Sequence, residues 1–192
     1  RAQVHAQFGD KAYTQGITVT TTLVAAEQQA AYKALRRTLI DHAQRQPWRG
    51  PEAHEDLPAD LADTDPAVAQ TLVQALADVD DDDDLRAAIV TRASPSAVTV
   101  VLASGEVIKL DKAGLRLAQP GLSAKASAAQ AIRRGAVVRV LQQGKGWLLT
   151  QWPEAEGALV ALNPANGEVR ALVGGFDFHR NQFNHVTQGW RQ

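Results

Sequence analysis

Apolar positions recur along this chain at two periods, and the switches between them outline its elements. From Gly157 to Phe176, Ala158, Val160 and Leu162 alternate before a turn, and Val169, Ala171 and Val173 alternate after it. Asn163-Pro164-Ala165-Asn166-Gly167 lies between them, with Asn-Gly supplying the positive φ of a tight reversal. Leu159, Ala161 and Leu172 fill the other parity, so the pattern predicts a hairpin covered on both faces and ended by Gly174-Gly175. The β-branched run Ile17–Thr22 reads as a strand, and residues 1–16 read as a tail anchored by Phe8 and Tyr13. From Ala25 the period lengthens, with Ala31, Leu35, Leu39 and His42 on one stripe of a helix that fades near Gln46, ahead of Pro47. A second, shorter helix is predicted to start at Asp65-Pro66, with Ala69, Leu72, Val73 and Leu76 on its apolar face.

The period falls to two again beyond Leu85. Short strands are predicted over 87–92, 97–102, 106–110, 136–141 and 146–152, with turns at Ser94-Pro95-Ser96, Ser104-Gly105 and Gln143-Gly144-Lys145. A helical turn is expected at 114–118. Three hairpin-linked strands followed by two more after an irregular crossing suit a small OB-like barrel. The fold class is therefore mainly β with α (α+β): an OB-like barrel inserted beside a platform of strand, helix and hairpin.

Composition narrows the chemistry. The 192 residues are 45% hydrophobic and 21% charged, as in a soluble globular protein. Zero cysteines exclude disulfides, thiolate nucleophiles and cysteine-based zinc sites. No run is long and apolar enough to span a membrane, and without methionine the chain is expected to be an internal piece of a longer protein. The net charge of −1 conceals a split: residues 51–84 hold twelve acids and no Lys or Arg, whereas residues 85–148 hold ten bases against Glu106 and Asp111. This predicts a module with a basic face and an acidic flank. The run Asp80–Asp84 lacks the alternate carboxylate spacing and turn glycine of a calcium loop, so a solvated, mobile loop is expected and no metal.

An OB-like barrel with a basic face raises single-stranded nucleic acid as a ligand, and an OB-type nucleic-acid-binding module is the alternative function. Such modules stack bases on aromatic side chains, worth roughly 1–3 kcal/mol per base. Between Leu85 and Gly146 there is no Phe, Tyr or Trp. Trp147 and Trp152 are an odd number of residues apart, which predicts one in the core and the other over the join to the hairpin. No nucleic-acid partner is expected. Arg133, Arg134 and Arg139 are the candidate interaction surface, toward an acidic partner. Neutralising the acidic stretch 51–84 is the competing role for the same arginines.

The run GALVALNPANGEVRALVGGFDF, followed by Asn181-Gln182-Phe183-Asn184 and Gln188-Gly189-Trp190-Arg191-Gln192, resembles the start of the transpeptidase domain of class A penicillin-binding proteins. Tyr13-x-x-Gly16-Ile17-x-Val19-x-Thr21-Thr22-Leu23 and Gln28-x-Ala30-Ala31 are similar to the segment joining that family's two catalytic domains, and Arg49-Gly50-Pro51 is similar to its next boundary. Gly114-Leu115-Arg116-x-Ala118 and Arg134-Gly135-x-Val137-x-Arg139-Val140 resemble the OB-like domain inserted in Gram-negative members. The resemblance implies three regions: a linker over 1–49, the OB-like insertion over 50–155, and the first transpeptidase hairpin over 156–192. It implies a parent protein that polymerises glycan strands and cross-links their peptides in the periplasm while anchored in the inner membrane, this portion being soluble. A regulatory lipoprotein, elongation-machinery proteins or the carboxylates of peptidoglycan are the implied partners of the candidate surface Arg133, Arg134 and Arg139.

In that family an acylated serine stands in Ser-x-x-Lys, with Ser-x-Asn and Lys-Thr-Gly beside it. None of Ser94, Ser96, Ser104, Ser123 and Ser127 has Lys three residues on, and the other two motifs are absent. The resemblance places the nucleophile a few residues beyond Gln192. Glu55-Asp56 matches only two letters of the family's glycosyl-transfer motif. The five histidines lack metalloprotease spacing, and no phosphate loop occurs. The expected function is thus a non-catalytic structural and interaction region of a peptidoglycan synthase, with no catalytic residue, cofactor or metal of its own.

Overall fold

Two-residue periodicity becomes real strands wherever a second layer covers the sheet. The structure, a computed structural model, describes residues 2–57, 66–77, 79, 81 and 84–190. It divides into two units: one formed by residues 1–35 and 158–192, the other by residues 36–157.

The middle unit contains β1 (Ala53–His54), α4 (Pro66–Ala75), β2 (Arg86–Ala93), β3 (Val98–Leu102), β4 (Val107–Leu110), β5 (Ala136–Gln143) and β6 (Gly146–Thr150). All pairings are antiparallel, and β5 is the hub. It pairs with β2 from Ile89↔Val137 to Arg86↔Val140, with β1 through Ala53↔Val137, and with β6 from Arg139↔Thr150 to Gln143↔Gly146. Strands β2, β3 and β4 form a meander. No ladder joins β4 to β6 among the described residues. Instead Gly114, just after β4, accepts the Leu149 N–H of β6 at 2.8 Å. A Cβ on Gly114 would strike the Trp147 carbonyl, so this approach requires glycine.

Both faces of the sheet are covered. The inner face places Val90, Val100, Ile108, Val140 and Leu149 against Leu115, Leu122, Ile132 and Trp48. The outer face places Ala87, Ile89, Val101 and Val137 against Leu72 of α4, Leu76 just past its end, and Leu57. Two-sided burial explains why β5 reads Ala136-Val137-Val138 with no polar alternation. The predicted strands are found to within two residues of their expected ends. β1 is a two-residue addition that no period could reveal.

In the first unit the predicted hairpin forms from β7 (Leu159–Leu162) and β8 (Val169–Val173), with Gly167 at φ 75°. Only one of its faces is covered, contrary to the two-faced expectation: Ala171 and Val173 are buried, whereas Val160 and Leu162 are 41% and 57% exposed. Helix α3 (Ala25–Ala43) begins beside β8, and its turn hydrogen bonds run on to Gln46, as predicted. Residues 17–22 form no strand. The segment meets β8 at its end, where the Thr22 hydroxyl donates to the Val169 carbonyl at 2.7 Å, and just beyond it the Val24 N–H donates to the Arg170 carbonyl at 2.9 Å. The expected tail instead holds two short helices, α1 (Ala2–Phe8) and α2 (Lys11–Thr14), and its supposed anchors Phe8 and Tyr13 are exposed. No helix among the described residues is long and apolar enough to cross a membrane.

Candidate interaction surface

The three arginines singled out in the sequence do not form one surface. Arg133 is exposed and Arg134 half-buried in the turn before β5, where Arg134 Nη1 donates to the Thr91 carbonyl at 3.0 Å. Arg139 is only 2% exposed. Its guanidinium grips Glu52 through two bonds of 2.8 and 2.9 Å, donates to the Leu85 carbonyl at 3.3 Å, and lies 4.6 Å from the centre of the Trp152 ring. A charge taken into a sheet needs such a fork of acceptors, and guanidinium geometry suits a carboxylate held bidentately. The expectation that Arg139 faces a partner is therefore corrected. It neutralises Glu52, a member of the acidic stretch 51–84.

The same stretch supplies further internal partners. Asp84 binds Arg36 of α3, itself 1% exposed, through Nε at 2.9 Å and through Nη2. Asp81 accepts Arg86 Nε at 2.8 Å and the Ala87 N–H at 2.9 Å. Asp81 and Asp84 thus belong to bonded structure, not to the free loop expected over 80–84. Asp80, Asp82 and Asp83 lie outside the described residues.

A polar clamp closes the neck where the chain leaves α3 for the sheet and returns after β6. Gln151 is 5% exposed, and its amide donates to the Ala43 and Pro47 carbonyls at 3.4 and 3.1 Å while accepting the Arg49 N–H at 3.2 Å. Arg49 in turn donates to the Trp152 carbonyl and pairs with Glu154 at 3.1 Å. Trp152 is buried here under Arg139, while Trp147 is partly buried against the inner core. Neither ring is a free stacking platform.

Sequence reasoning passed over the uncovered end of the outer face. Thr99 on β3 is opposite Arg92 on β2 and opposite Lys109 on β4. Residues directly opposite point to one face, so Arg92, Thr99 and Lys109 form a row across three strands. Arg92 reaches it because the β2–β3 register shifts between Val90 and Arg92, an extra residue that reverses the pleat. Helix α4 covers the other end of this face and leaves Arg92 and Lys109 exposed. The available signal was the lone Lys109 between Ile108 and Leu110. Arg92 was hidden because strict alternation would have put it on the face of Val90.

Chemistry-bearing hydroxyls are engaged in turns. Ser94 donates to the Ala97 carbonyl at 2.9 Å, Ser104 accepts the Glu106 N–H, Ser123 accepts the Lys125 N–H, and Ser127 donates to Gln130 at 3.3 Å. In the first unit the Arg170 guanidinium, hydrogen-bonded to Glu27, holds that carboxyl below its ordinary value and is itself raised. This pair lines a shallow cleft of about 320 Å³ with Ala161, Leu162, Asn163 and Pro164. The arrangement as a whole offers charge and hydrogen bonding at surfaces, with its buried ions serving the fold.

Residues 48–155 match the family model of the penicillin-binding protein OB-like domain. Across 192 aligned residues the chain is 38% identical to penicillin-binding protein 1A of Neisseria lactamica, covering all of this chain and 24% of that protein. It is 35% identical to penicillin-binding protein 1A of Escherichia coli strain K12, again along its full length and over 23% of the relative. Its fold matches the crystal structure of penicillin-binding protein 1A from Haemophilus influenzae with a TM-score of 0.79 at 31% identity, covering all of this chain and 27% of that one. The chain thus spans about a quarter of the length of these relatives.

Proposed function

Because this chain belongs to the penicillin-binding protein OB-like domain family, we propose that it is a non-catalytic structural and interaction region of a longer peptidoglycan synthase. The carrying observation is topological. Both chain ends contribute to one unit, the OB-like module lies between them in sequence, and the similarity to penicillin-binding protein 1A runs through all three stretches without a break. That organisation suits an insertion within a host domain. In this reading the parent polymerises glycan strands and cross-links their peptides in the periplasm, anchored in the inner membrane. The module serves as a spacer and a docking point for a regulatory lipoprotein or for elongation-machinery proteins.

The test is to incubate the chain with fluorescent penicillin and, in parallel, titrate it with single-stranded oligonucleotide and with soluble peptidoglycan fragments at two salt concentrations. The reading expects no covalent label and no oligonucleotide binding. Covalent labelling would place a nucleophile inside the chain and sink it. Tight, salt-sensitive oligonucleotide binding would replace it with the nucleic-acid function.

A further inference from the structure

We propose that the corner where the loop after β4 meets the β5–β6 turn, bearing Lys112, Arg116 and Lys145, is a docking surface for an acidic segment of a partner protein. The inference rests on the reading above, in which the module is an interaction region, and it assigns the surface that reading leaves open.

Three observations carry it. First, the fold brings two loops together here. The Gly114 carbonyl accepts the Leu149 N–H at 2.8 Å, and a Cβ on Gly114 would strike the Trp147 carbonyl. Lys112 stands two residues before Gly114. Lys145 stands two residues before Trp147, in the turn that closes β5 on β6 through Gln143↔Gly146. Two residues span at most about 7 Å, so the two lysines flank one point of contact. Second, the loop presents its cations outward. Hydrogen bonds from the Leu115 N–H to Lys112 and from the Ala118 N–H to Leu115 wind residues 112–118 into successive turns. Leu115, Leu117 and Ala118 are buried in the inner core, while Lys112 and Arg116, four residues apart, are exposed. Third, these charges are not neutralised within the chain. Arg36, Arg86 and Arg139 each grip a carboxylate, whereas Lys112, Arg116 and Lys145 make no ion pair and no side-chain hydrogen bond among the described residues. The one acid of the loop, Asp111, is engaged by the Gly114 N–H at 3.0 Å.

The arrangement determines the ligand. Cations on two converging loops need carboxylates that are themselves close together. Consecutive acidic residues supply them at about 3.3 Å per residue along an extended chain, so a short run of Asp or Glu can span the corner. Nucleic acid is a poorer fit, because residues 111–118 and 143–146 hold no aromatic side chain and Trp147 packs on the core. A bilayer surface is a poorer fit too, since the loop's leucines are buried and leave no apolar wedge to insert. Charge contacts of this kind act chiefly through association rate and salt dependence.

The experiment uses the whole chain and a fluorescent glutamate-rich peptide, with an oligothymidylate of equal charge and anionic phospholipid vesicles as comparisons and fluorescent penicillin as a separate arm. The variants are Lys112→Glu/Lys145→Glu, the milder Lys112→Gln/Lys145→Gln, Arg116→Gln alone, and Lys125→Glu/Arg133→Glu as a charge-matched control, each checked by thermal melting. Arg133 precedes β5 and Lys145 follows it, so the eight residues of that strand, roughly 25 Å, separate the control from the corner. The expected result is at least a tenfold loss of peptide affinity in the Glu pair, a smaller loss in the Gln pair and in Arg116→Gln, and little change in the control. Binding of the peptide should also weaken with salt. Equal losses in the corner and control variants would mean diffuse attraction and overturn the proposal, as would no measurable peptide binding or stronger binding of oligothymidylate or vesicles. If the Glu pair fails to melt cooperatively, the Gln pair decides. Penicillin labelling would overturn the non-catalytic reading by itself and leave the peptide data to judge the surface.

Discussion

Arg139 stands in a strand buried on both faces, and its neighbours determine what its loss would do. Glu52, Leu85 and Trp152 surround the guanidinium, which is 2% exposed. Glu52→Ala would leave that charge inside the sheet with a single carbonyl acceptor among these contacts, at a cost of about 3 kcal/mol. The double change Glu52→Leu/Arg139→Met removes both charges and keeps apolar volume, so it should recover most of that loss. Urea unfolding of the two variants checks this, and equal destabilisation would show that the ion pair is not what holds the site. The pairing was partly legible: a lone Arg between Val138 and Val140, with an acid after Arg49-Gly50-Pro51, was a signal for internal neutralisation. Period two alone assigns Arg139 to the face opposite Val138 and Val140, and cannot say that this face is covered. Arg92 shows the converse: strict alternation would place it on the face of Val90, and one bulged residue reverses that parity.

At the level of elements, helix α4 and the hairpin make contrasting predictions. Leu72 is fully buried over the outer sheet face and Val73 is 44% exposed on the same helix. Leu72→Ala should cost about 2–5 kcal/mol, while Val73→Ala should stay within about 0.5 kcal/mol, measured by the same unfolding assay. The hairpin is held differently, by side chains of α3 reaching β8. Gln28 accepts the Leu172 N–H at 2.8 Å and donates to its carbonyl at 2.9 Å, and Glu27 bonds Arg170. The Glu27 carboxyl is held below its ordinary value of 4.5, first by the Arg170 hydrogen bond and then by its charge. A carboxylate whose value is lowered on folding stabilises fully above 4.5 and loses that contribution as pH falls through its folded value. Glu27→Gln should therefore melt lower than the parent at neutral pH and converge with it in acid; a constant gap across pH would refute the linkage. These contacts also explain where the strand pattern failed. Period two recovered the strands that pair along a ladder, including the whole meander. It overcalled 17–22, where the Thr22 hydroxyl meets β8 and the next bond comes from the Val24 N–H beyond the segment, and it missed β1, which is only two residues long.

Across the whole molecule, the middle unit has what an independently folding domain requires. It has an apolar core on both sides of one sheet, buried ions with partners of its own, and a closed neck. The neck matters because a chain that leaves and returns must satisfy the backbone groups of both crossings. Gln151 does this for Ala43, Pro47 and Arg49, and Arg49 does it for Trp152. Residues 36–157 expressed alone should then unfold in one cooperative transition, with Trp48 and Trp152 reporting through their fluorescence because both are buried within the unit. In that fragment Gln151→Ala removes one amide from three backbone groups and should cost about 1–3 kcal/mol, whereas Gln142→Ala, on the outward part of β5, should be close to neutral. A broad, non-cooperative transition in the parent fragment would show that the unit needs the chain ends to fold. Equal effects of the two glutamine changes would show that the neck is held by packing alone, with Trp48 and Trp152 as the residues to truncate next.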